Sequence, residues 1–326
     1  MKIKRTPMLY VVMLLLISLL VEITLYVNSN RKSDPIKQVS LIVYGSDGRR
    51  WENLKQGSET AASDMEAEVT LITMSSEDDA DEQIALIQRE AENGADALLI
   101  AACDAERIGR YLKDNPPGIP YAFVESGTGE EGVTVTCADD AEMAEALVRT
   151  IDGNEKDWIK AAIIADHTQR DSVRARLEAI LDSDVHYADD VVIWERDEQE
   201  INEKAQFFLQ RKLTEEAVDV IIALDSSSVE ELMDAVLNLN KDIKIYGIAN
   251  SSKSVYYVDN RLIKSLVYQD EFSMGYIGLK RLLGDEHRGR NKDADIYDSY
   301  PISYGVVDHE NMYEEENQRL LFPNVR

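Results

Sequence analysis

Short apolar runs alternate with longer amphipathic segments along most of this chain of 326 residues. The first apolar run, residues 39–44 (VSLIVY), stops at a turn of Gly, Ser and Asp, and a polar, helix-favouring segment begins near Trp51. A buried apolar run followed by a turn and an amphipathic segment is typical of a strand–helix unit. Because this unit recurs, the pattern predicts an α/β fold with parallel sheets and helices on both faces.

The strand–helix units fall into two successive sets. In the first set, strands are predicted at residues 39–44, 68–74, 97–101, 121–124 and 133–136, with helices at 52–65, 80–93 and 105–115. In the second set, helices are predicted at residues 140–151, 172–182, 200–213 and 228–239, with strands at 161–165, 191–195, 220–224 and 243–247. A strand at 262–268, a helix at 271–283 and a strand at 302–307 follow. Two similar α/β domains are therefore expected, and the last segment is able to add elements to both.

A long apolar segment near the start of the chain predicts attachment to a membrane. Basic residues precede a run from Met8 to Val27 whose one charged residue is Glu22. The run is long enough to span a bilayer as a helix, and it is longer than the usual apolar region of a cleaved secretory signal. We expect an N-terminal transmembrane helix that acts as a single-pass signal anchor, with residues 28–37 as a polar linker and the soluble part extracellular or periplasmic. Cleavage of the segment is the alternative.

The strong negative charge of the chain excludes some classes of partner. The formal net charge is −27, and residues 38–326 alone carry 29 basic and 60 acidic residues. Such a charge opposes binding to nucleic acid phosphates or anionic lipid, so no nucleic acid partner is expected. The two cysteines, Cys103 and Cys137, form no CxxC pair. The spacing therefore indicates no zinc site, and we expect two unpaired thiols rather than a disulfide.

The sequence contains no motif of a known catalytic site. Its four histidines form no HExxH or other metal-ligand spacing, and GxSxG, GxGxxG and Walker sequences are absent. His167 follows a predicted strand and is a minor candidate for a binding residue. The acidic run at residues 75–82 suits a helix N-terminus better than a calcium site. We therefore expect a binding protein rather than an enzyme, with no cofactor and no metal.

Several segments, in their order along the chain, carry a family resemblance. They are the first strand with WENLKQG after it, QREAENGADALLIAACDAERI, IPYAFVES, DSVRARLEAI, VIIALDSSSVEEL, IKIYGIAN and LIKSLVYQDEFSMGYIGLKRLL. In this order, over about residues 38–310, the chain resembles the ribose/galactose-type sugar-binding proteins of bacterial transport and chemotaxis. Their fold is shared with the effector domains of the lactose-repressor family. No helix-turn-helix precedes the segments, and the apolar run in its place argues against a repressor.

The resemblance implies the type I periplasmic binding protein fold, in which two lobes, each a parallel sheet flanked by helices, are joined by three crossovers. Lobe 1 would consist of residues 38–136 plus 270–302, and lobe 2 of residues 137–269 plus 303–326, after the anchor and linker at 1–37. The ligand would bind between the lobes, beyond the carboxyl ends of the strands. Closure would be a hinge motion.

The resemblance also implies ligand-binding residues in the first lobe, where planar polar groups and aromatic faces would hold a sugar. Asp47, Arg50 and Trp51 occupy the turn where the family places an Asn and aromatic residues. Glu125 occupies the position of a family acid, although Ser126 follows it where the family has an Arg.

In the second lobe the resemblance implies four further ligand-binding residues. Arg174 matches the family's arginine at a helix start, with Arg176 as the alternative. Asp225 matches a family Asn that contacts sugar, and Gln269 matches a family Gln at a crossover. Asn250 stands beside the position of a family Asp that is lost here, and it would replace that residue in part.

The departures from the family indicate a ligand other than ribose, galactose or glucose. Arg49, Arg50 and Arg174 would suit an anionic ligand such as a sugar acid or a phosphorylated sugar. The expected function is that of a membrane-tethered extracellular protein that binds a sugar or sugar-like solute for an ABC-type importer, with an ABC permease as partner. The alternative is a tethered sensor that presents ligand occupancy to a histidine kinase or a chemoreceptor.

Overall fold

The computed structural model describes residues 37–130, 132–155, 160–183, 191–197, 200, 203–237, 239, 243–284 and 301–322. The expected membrane anchor from Met8 to Val27 and nearly all of its linker lie outside these described residues. Among the helices within the described ranges, none is long and apolar enough to cross a membrane.

The described part of the chain forms a first sheet from five parallel strands. They are β1 Lys37–Val43, β2 Ala67–Thr73, β3 Ala97–Ile100, β4 Tyr121–Val124 and β5 Val135–Thr136, in the order β2-β1-β3-β4-β5. The helices between them are α1 Glu52–Asp64, α2 Ala80–Glu92 and α3 Ala105–Asp114, and a 3₁₀ turn, Gly48–Trp51, precedes α1. The continuous apolar run of β3 is buried along its whole length, as expected for a strand with helices on both faces.

A second sheet follows in the described residues and has six strands. They are β6 Ala161–Ile164, β7 Val191–Trp194, β8 Val220–Ala223, β9 Lys244–Ile248, β10 Ser265–Gln269 and β11 Tyr304–Val307, in the order β11-β10-β9-β8-β6-β7. All pairs are parallel except β10 with β11, which is antiparallel. The helices are α4 Asp140–Asn154, α5 Asp171–Leu181, α6 Ala205–Glu215, α7 Ser226–Leu237, α8 Ser252–Asp259, α9 Glu271–Gly284 and α10 Glu315–Leu321. Two α/β lobes are thus confirmed.

The chain passes between the two lobes more than once. Strand β10 lies in the second sheet, but α9, directly after it, packs against α1 and against β3, β4 and β5 of the first sheet. Strand β11 then returns to the second sheet. This path has the three crossovers that the resemblance implies, while the exact lobe limits stay predictions.

Helix α8 is, with α10, one of two helices in the described part of the chain that the apolar pattern did not predict. Its sequence, SKSVYYVD, is rich in β-branched and aromatic residues, which have low intrinsic helix propensity. Tertiary packing compensates, because Val255, Tyr257 and Val258 are buried against the second sheet's core. The Ser251 side chain caps the helix by accepting a hydrogen bond from the backbone N–H of Ser254.

The two cysteines are both unpaired, which confirms the expectation of free thiols. Cys103 is buried and Cys137 is half-buried. Burial raises the pKa of each thiol to about 12, so both are protonated at neutral pH.

Candidate binding cleft between the two sheets

Polar residues follow the carboxyl ends of strands in both sheets, and the structure places them around one interlobe cleft. The first sheet contributes the turn after β1 and Glu125 after β4. The second sheet contributes His167 after β6, Asp225 after β8 and Asn250 after β9. In open α/β sheets ligands bind beyond these strand ends, so this cleft is the candidate site.

Tyr44, directly after β1, forms an aromatic platform with Trp51. The two rings meet edge to face with centroids 4.9 Å apart, and Trp51 Nε1 donates a hydrogen bond to the Tyr44 carbonyl at 3.0 Å. Trp51 is only 1% exposed, and it supports the turn while it also lines the cleft cavity. The Arg50 guanidinium lies over both rings, with its carbon 4.9 Å from the Tyr44 centroid and 4.4 Å from that of Trp51.

Arg50 is the side chain of this turn that faces the cleft with unused hydrogen-bonding capacity. Its side chain is 11% exposed, and Nη2 donates to Tyr44 Oη at 3.3 Å. Nε and Nη1 are buried and make no hydrogen bond within the described residues. Nη1 lies 3.9 Å from Glu77 Oε2, which is beyond hydrogen-bond distance. Two buried donors are therefore available for an acceptor in the cleft.

Arg170 joins the two lobes at the centre of the cleft. It is fully buried, and its guanidinium carbon lies 3.8 Å from the centroid of the Tyr44 ring. Nη2 donates to Glu77 Oε2 at 2.9 Å and to Asp78 Oδ1 at 3.0 Å in the first lobe, and Nη1 donates to Asp225 Oδ2 at 3.1 Å in the second. One face of Tyr44 is thus covered by a cation of the protein itself.

His167 and Asp225 form a buried ion pair beside Arg170. His167 Nδ1 lies 2.8 Å from Asp225 Oδ2, and His167 Nε2 lies 3.6 Å from Asp78 Oδ2. Burial by itself would lower the pKa of His167, but the Asp225 carboxylate outweighs it, with help from Asp78, and raises that pKa to about 9. Burial would raise the pKa of Asp225, but His167 and Arg170 hold it well below its usual value. Both groups are therefore charged at neutral pH.

Replacing His167 with glutamine is expected to reduce the pH dependence of stability between about pH 6.5 and 9. Because the pKa of His167 is about 9 in the folded protein against an ordinary 6.5, its contribution is complete below pH 6.5 and disappears as the pH rises through 9. The contribution is on the order of 3 kcal/mol for a fully buried group. Urea unfolding at pH 6 and pH 9.5 measures it. If the wild-type protein and His167→Gln lost the same stability between pH 6 and pH 9.5, the assignment of this pKa to His167 would be wrong.

Glu125 connects the first lobe to helix α5 of the second. It adopts φ +64°, a strained backbone conformation that often occurs at functional sites. Its carboxylate accepts hydrogen bonds from Tyr44 Oη at 2.7 Å, from Ser172 Oγ at 3.2 Å and from Arg176 Nη2 at 3.5 Å. Arg174 pairs instead with Asp171, and its side chain is 43% exposed. Of the two arginines expected at this helix start, Arg176 is the one that reaches the cleft network.

Asn250 and Gln269 hold crossover segments rather than open cleft surface. Gln269 Oε1 accepts a hydrogen bond from the backbone N–H of Ala138 at 3.1 Å, and Asn250 Oδ1 accepts one from the backbone N–H of Gln269 at 2.9 Å. Asn250 Nδ2 donates to Glu271 Oε1 at 3.2 Å. Burial raises the pKa of Glu271 to about 8, so its carboxyl is largely neutral at pH 7. These side chains tie together the segments on which a hinge motion would turn.

A cavity of about 190 Å³ remains in the cleft, and a second of about 330 Å³ shares part of its wall. Both are lined by Asp47 and Arg50 from the first lobe and by Glu230 and Lys253 from the second. Asp47 lies at the rim, where it caps the 3₁₀ turn and pairs with the exposed Arg49 at 2.9 Å. The cavities therefore place the expected turn after β1 opposite helix α7 and the start of α8.

Sequence reasoning missed several residues of this cleft. The apolar pattern predicts Tyr44 only as the last residue of a strand, and it predicts the acidic residues before α2 only as helix-capping charges. The resemblance points to Arg174 and Arg176 in α5 rather than to Arg170 just before that helix. Tyr44, Glu77, Asp78 and Arg170 follow strand ends, which is a local signal, whereas the other missed residues lie within helices α7 and α8. The missed residues are Tyr44, Glu77, Asp78, Arg170, Glu230, Glu231 and Lys253.

Within the described ranges, no group of three or more His, Cys, Asp or Glu side chains is arranged to hold a metal ion. The charged groups of the cleft are instead engaged with one another through hydrogen bonds and ion pairs. The arrangement is that of a polar binding site between two lobes.

Solved structures share this architecture. A carbohydrate transporter solute binding protein from Agrobacterium radiobacter, in complex with D-arabinose, has a TM-score of 0.74 and 18% identity, with 89% of this chain and 100% of that chain covered. A glucose-galactose binding protein from Geobacillus stearothermophilus has a TM-score of 0.71 and 15% identity, with 86% and 100% covered. An ABC transporter solute binding protein from Agrobacterium vitis, with bound D-fucose, has a TM-score of 0.72 and 16% identity, with 87% and 100% covered. At these identities the likeness shows the fold.

The sequence of the two lobes identifies the protein family to which the chain belongs. No curated protein matches the chain significantly. Residues 39–283 match the family described as "Periplasmic binding protein domain". The chain therefore belongs to the periplasmic binding protein family, and the fold that the resemblance implies is confirmed.

Proposed function

We propose that this chain is the extracellular or periplasmic solute-binding protein of an ABC-type importer, that it closes two lobes on a sugar or sugar-like ligand, and that the segment from Met8 to Val27 anchors it to the membrane. Arg50 is the observation that supports ligand binding most directly. Its Nε and Nη1 are buried and make no hydrogen bond among the described residues, and the side chain lines the cavity. Buried donors are normally hydrogen-bonded, so two unpaired donors indicate a ligand that supplies acceptors.

A polyhydroxylated ligand suits the groups that surround this cavity. Each hydroxyl accepts one hydrogen bond and donates another, so it is able to pair with the Arg50 donors and with carboxylates on the opposite wall. One such carboxylate oxygen, Oε2 of Glu231, is also buried without a hydrogen bond in the described part of the chain. Three structural neighbours hold D-arabinose, α-D-tagatopyranose and D-fucose. The names of these proteins describe transport and solute binding, which supports an importer component over a sensor and over an enzyme.

Binding of a sugar, sugar acid, amino sugar or polyol is expected to raise the melting temperature of the purified full chain. A ligand at about one hundred times its Kd stabilises the folded state by about 2.7 kcal/mol, which corresponds to roughly 5 to 10 °C for a protein of this size. A thermal-shift panel of carbohydrates measures the effect. The absence of a shift with every compound would contradict the proposed function.

Arg50→Met and Arg110→Met form a matched pair for this panel. Arg50→Met keeps the apolar stem against the aromatic platform but removes the buried donors, so the affinity should fall at least about tenfold. Arg110 in helix α3 is 66% exposed, pairs with Glu106 and lines neither cavity, so Arg110→Met should leave the affinity unchanged.

A further inference from the structure

Carboxylates outnumber cations on the wall of the smaller cleft cavity. Asp47, Glu77, Glu230, Glu231 and Asp234 line it, against Arg50 and Lys253. Lys253 Nζ pairs with Glu230 Oε2 at 3.3 Å and with Asp234 Oδ1 at 3.5 Å, and Glu77 pairs with Arg170. Glu231 makes no ion pair among the described residues, and its Oε2 is buried without a hydrogen bond. It is the acidic group of this wall that lacks a counterion.

Burial raises the pKa of the Glu231 carboxyl to about 7, and the positive charges of His167 and Arg196 only partly oppose this shift. A buried carboxyl in this condition is stabilised by any positive charge that comes close to it. The cavity therefore contains an acceptor for a cation on the second-lobe wall and two unused donors, those of Arg50, on the first-lobe wall.

The wall does not suit the anionic ligand that the arginine-rich turn suggested. Arg49 is 91% exposed and bound to Asp47, and Arg174 pairs with Asp171, so Arg50 is the one member of that set on the wall of the smaller cavity, while Arg49 lines only the adjoining one. An anion in the smaller cavity would meet Arg50 but also Glu231 and the paired carboxylates around it. Like charges at close range in a poorly solvated site repel each other and weaken binding.

We propose that the cleft selects a ligand that carries a positively charged amine beside hydroxyl or ether oxygens, the class of amino sugars, with Glu231 receiving the amine and Arg50 donating to the oxygens. This inference rests on the proposed function and specifies its ligand class. The two groups line the cavity of about 190 Å³ from different lobes, so a single small ligand is able to contact both. Arg50 also lines the adjoining cavity of about 330 Å³, which Glu231 does not reach and which lies within the usual size range of small-molecule sites, roughly 300–1,000 Å³.

Calorimetric titration of the full chain with matched triads tests the proposal. Each triad contains the neutral hexose, its 2-amino form and its uronic acid, in the gluco, galacto and manno configurations. In at least one configuration the amino sugar should bind at least tenfold more tightly than the neutral sugar, and the uronic acid should bind most weakly. Glu231→Gln should abolish the preference for the amine while changing the affinity for the neutral sugar less than twofold.

Glu145→Gln is the control, because Glu145 is 55% exposed on helix α4, pairs with Arg149 and lines neither cavity. This variant should keep the preference, and an unchanged melting temperature shows that either variant is folded. If neutral sugars bind as tightly as amino sugars, or if Glu231→Gln keeps the preference, the inference is wrong while the proposed function stands. If no member of any triad binds, the inference is wrong, and the thermal-shift panel then decides whether the proposed function stands.

Discussion

Replacing Arg170 with methionine is expected to destabilise the protein by about 3 to 5 kcal/mol. The side chain is fully buried, and its removal leaves Glu77, Asp78 and Asp225 without the cation that pairs with them at 2.9 to 3.1 Å. A buried ion pair is not strongly stabilising as a whole, but removal of one partner leaves uncompensated charge in a site with little water. The stacking of the guanidinium on Tyr44 is lost as well. The free energy of urea-induced unfolding measures the effect.

Arg174→Met provides the comparison for Arg170→Met. Arg174 lies in the same segment, but its side chain is 43% exposed and its partner is the neighbouring Asp171. Exposed pairs of this kind contribute about 0 to 1 kcal/mol, so Arg174→Met should change stability little. Because Arg170 is bonded to both lobes, its loss should also open the cleft, which small-angle X-ray scattering detects as a larger radius of gyration. Equal stabilities of the two variants would show that the Arg170 network does not hold the lobes together.

Replacing Gly57 with alanine is expected to cost about 4 kcal/mol or more. Gly57 lies in α1, where a Cβ atom would be 1.9 Å from the carbonyl oxygen of Phe272 in α9. Gly275 of α9 makes the reciprocal approach, since its Cβ would be 2.1 Å from the carbonyl oxygen of Leu54. Overpacked cores usually lose about 1 to 3 kcal/mol because side chains shift, but here the obstacle is backbone and the helices must separate. Chemical denaturation of Gly57→Ala measures the loss.

Gly153→Ala is the control for this prediction. Gly153 lies in helix α4, and nothing stands within 4 Å of the position that its Cβ would take. Alanine has the higher helix propensity, so this variant should be neutral or more stable by up to about 1 kcal/mol. If Gly57→Ala proved as mild as Gly153→Ala, the close contact of α1 with α9 would not be required for folding.

The order of strands and helices was predictable because it depends on short-range patterns. Apolar runs such as those of β3 and β8 are buried in the structure. Helices α2, α3 and α4 are capped at their N-termini by Asp79, Asp104 and Asp139. Helix α8 escaped prediction because its stability comes from tertiary burial rather than from its own propensity. The close contact of α1 with α9 at Gly57 and Gly275 could not be predicted either, since it joins segments more than two hundred positions apart.

Part of the candidate site was predictable for the same reason. Glu125 and Asp225 follow buried strands, and parallel strands end at a common edge, so their place in the cleft followed from the pattern and the resemblance. The choice between Arg174 and Arg176 could not be predicted from the pattern or the resemblance. Ser172 and Arg176 are four residues apart in α5 and face the cleft together, whereas Arg174 lies on the other side of that helix. The rotation of α5 decides this, and it depends on packing against the whole lobe.

The sequence by itself determined that the chain forms two α/β lobes of the periplasmic binding protein family, because burial of apolar runs and local capping act between near neighbours. Only the tertiary structure decided which charges meet in the cleft. Arg170 pairs with residues more than fifty positions away on both sides, and Arg50 and Glu231 are brought to one cavity from different lobes. Coulombic and hydrogen-bonding energies depend on distances of a few ångströms, which the folding of distant segments sets. The turn after β1 forms one charged wall of the cleft because the fold places helix α7 opposite it.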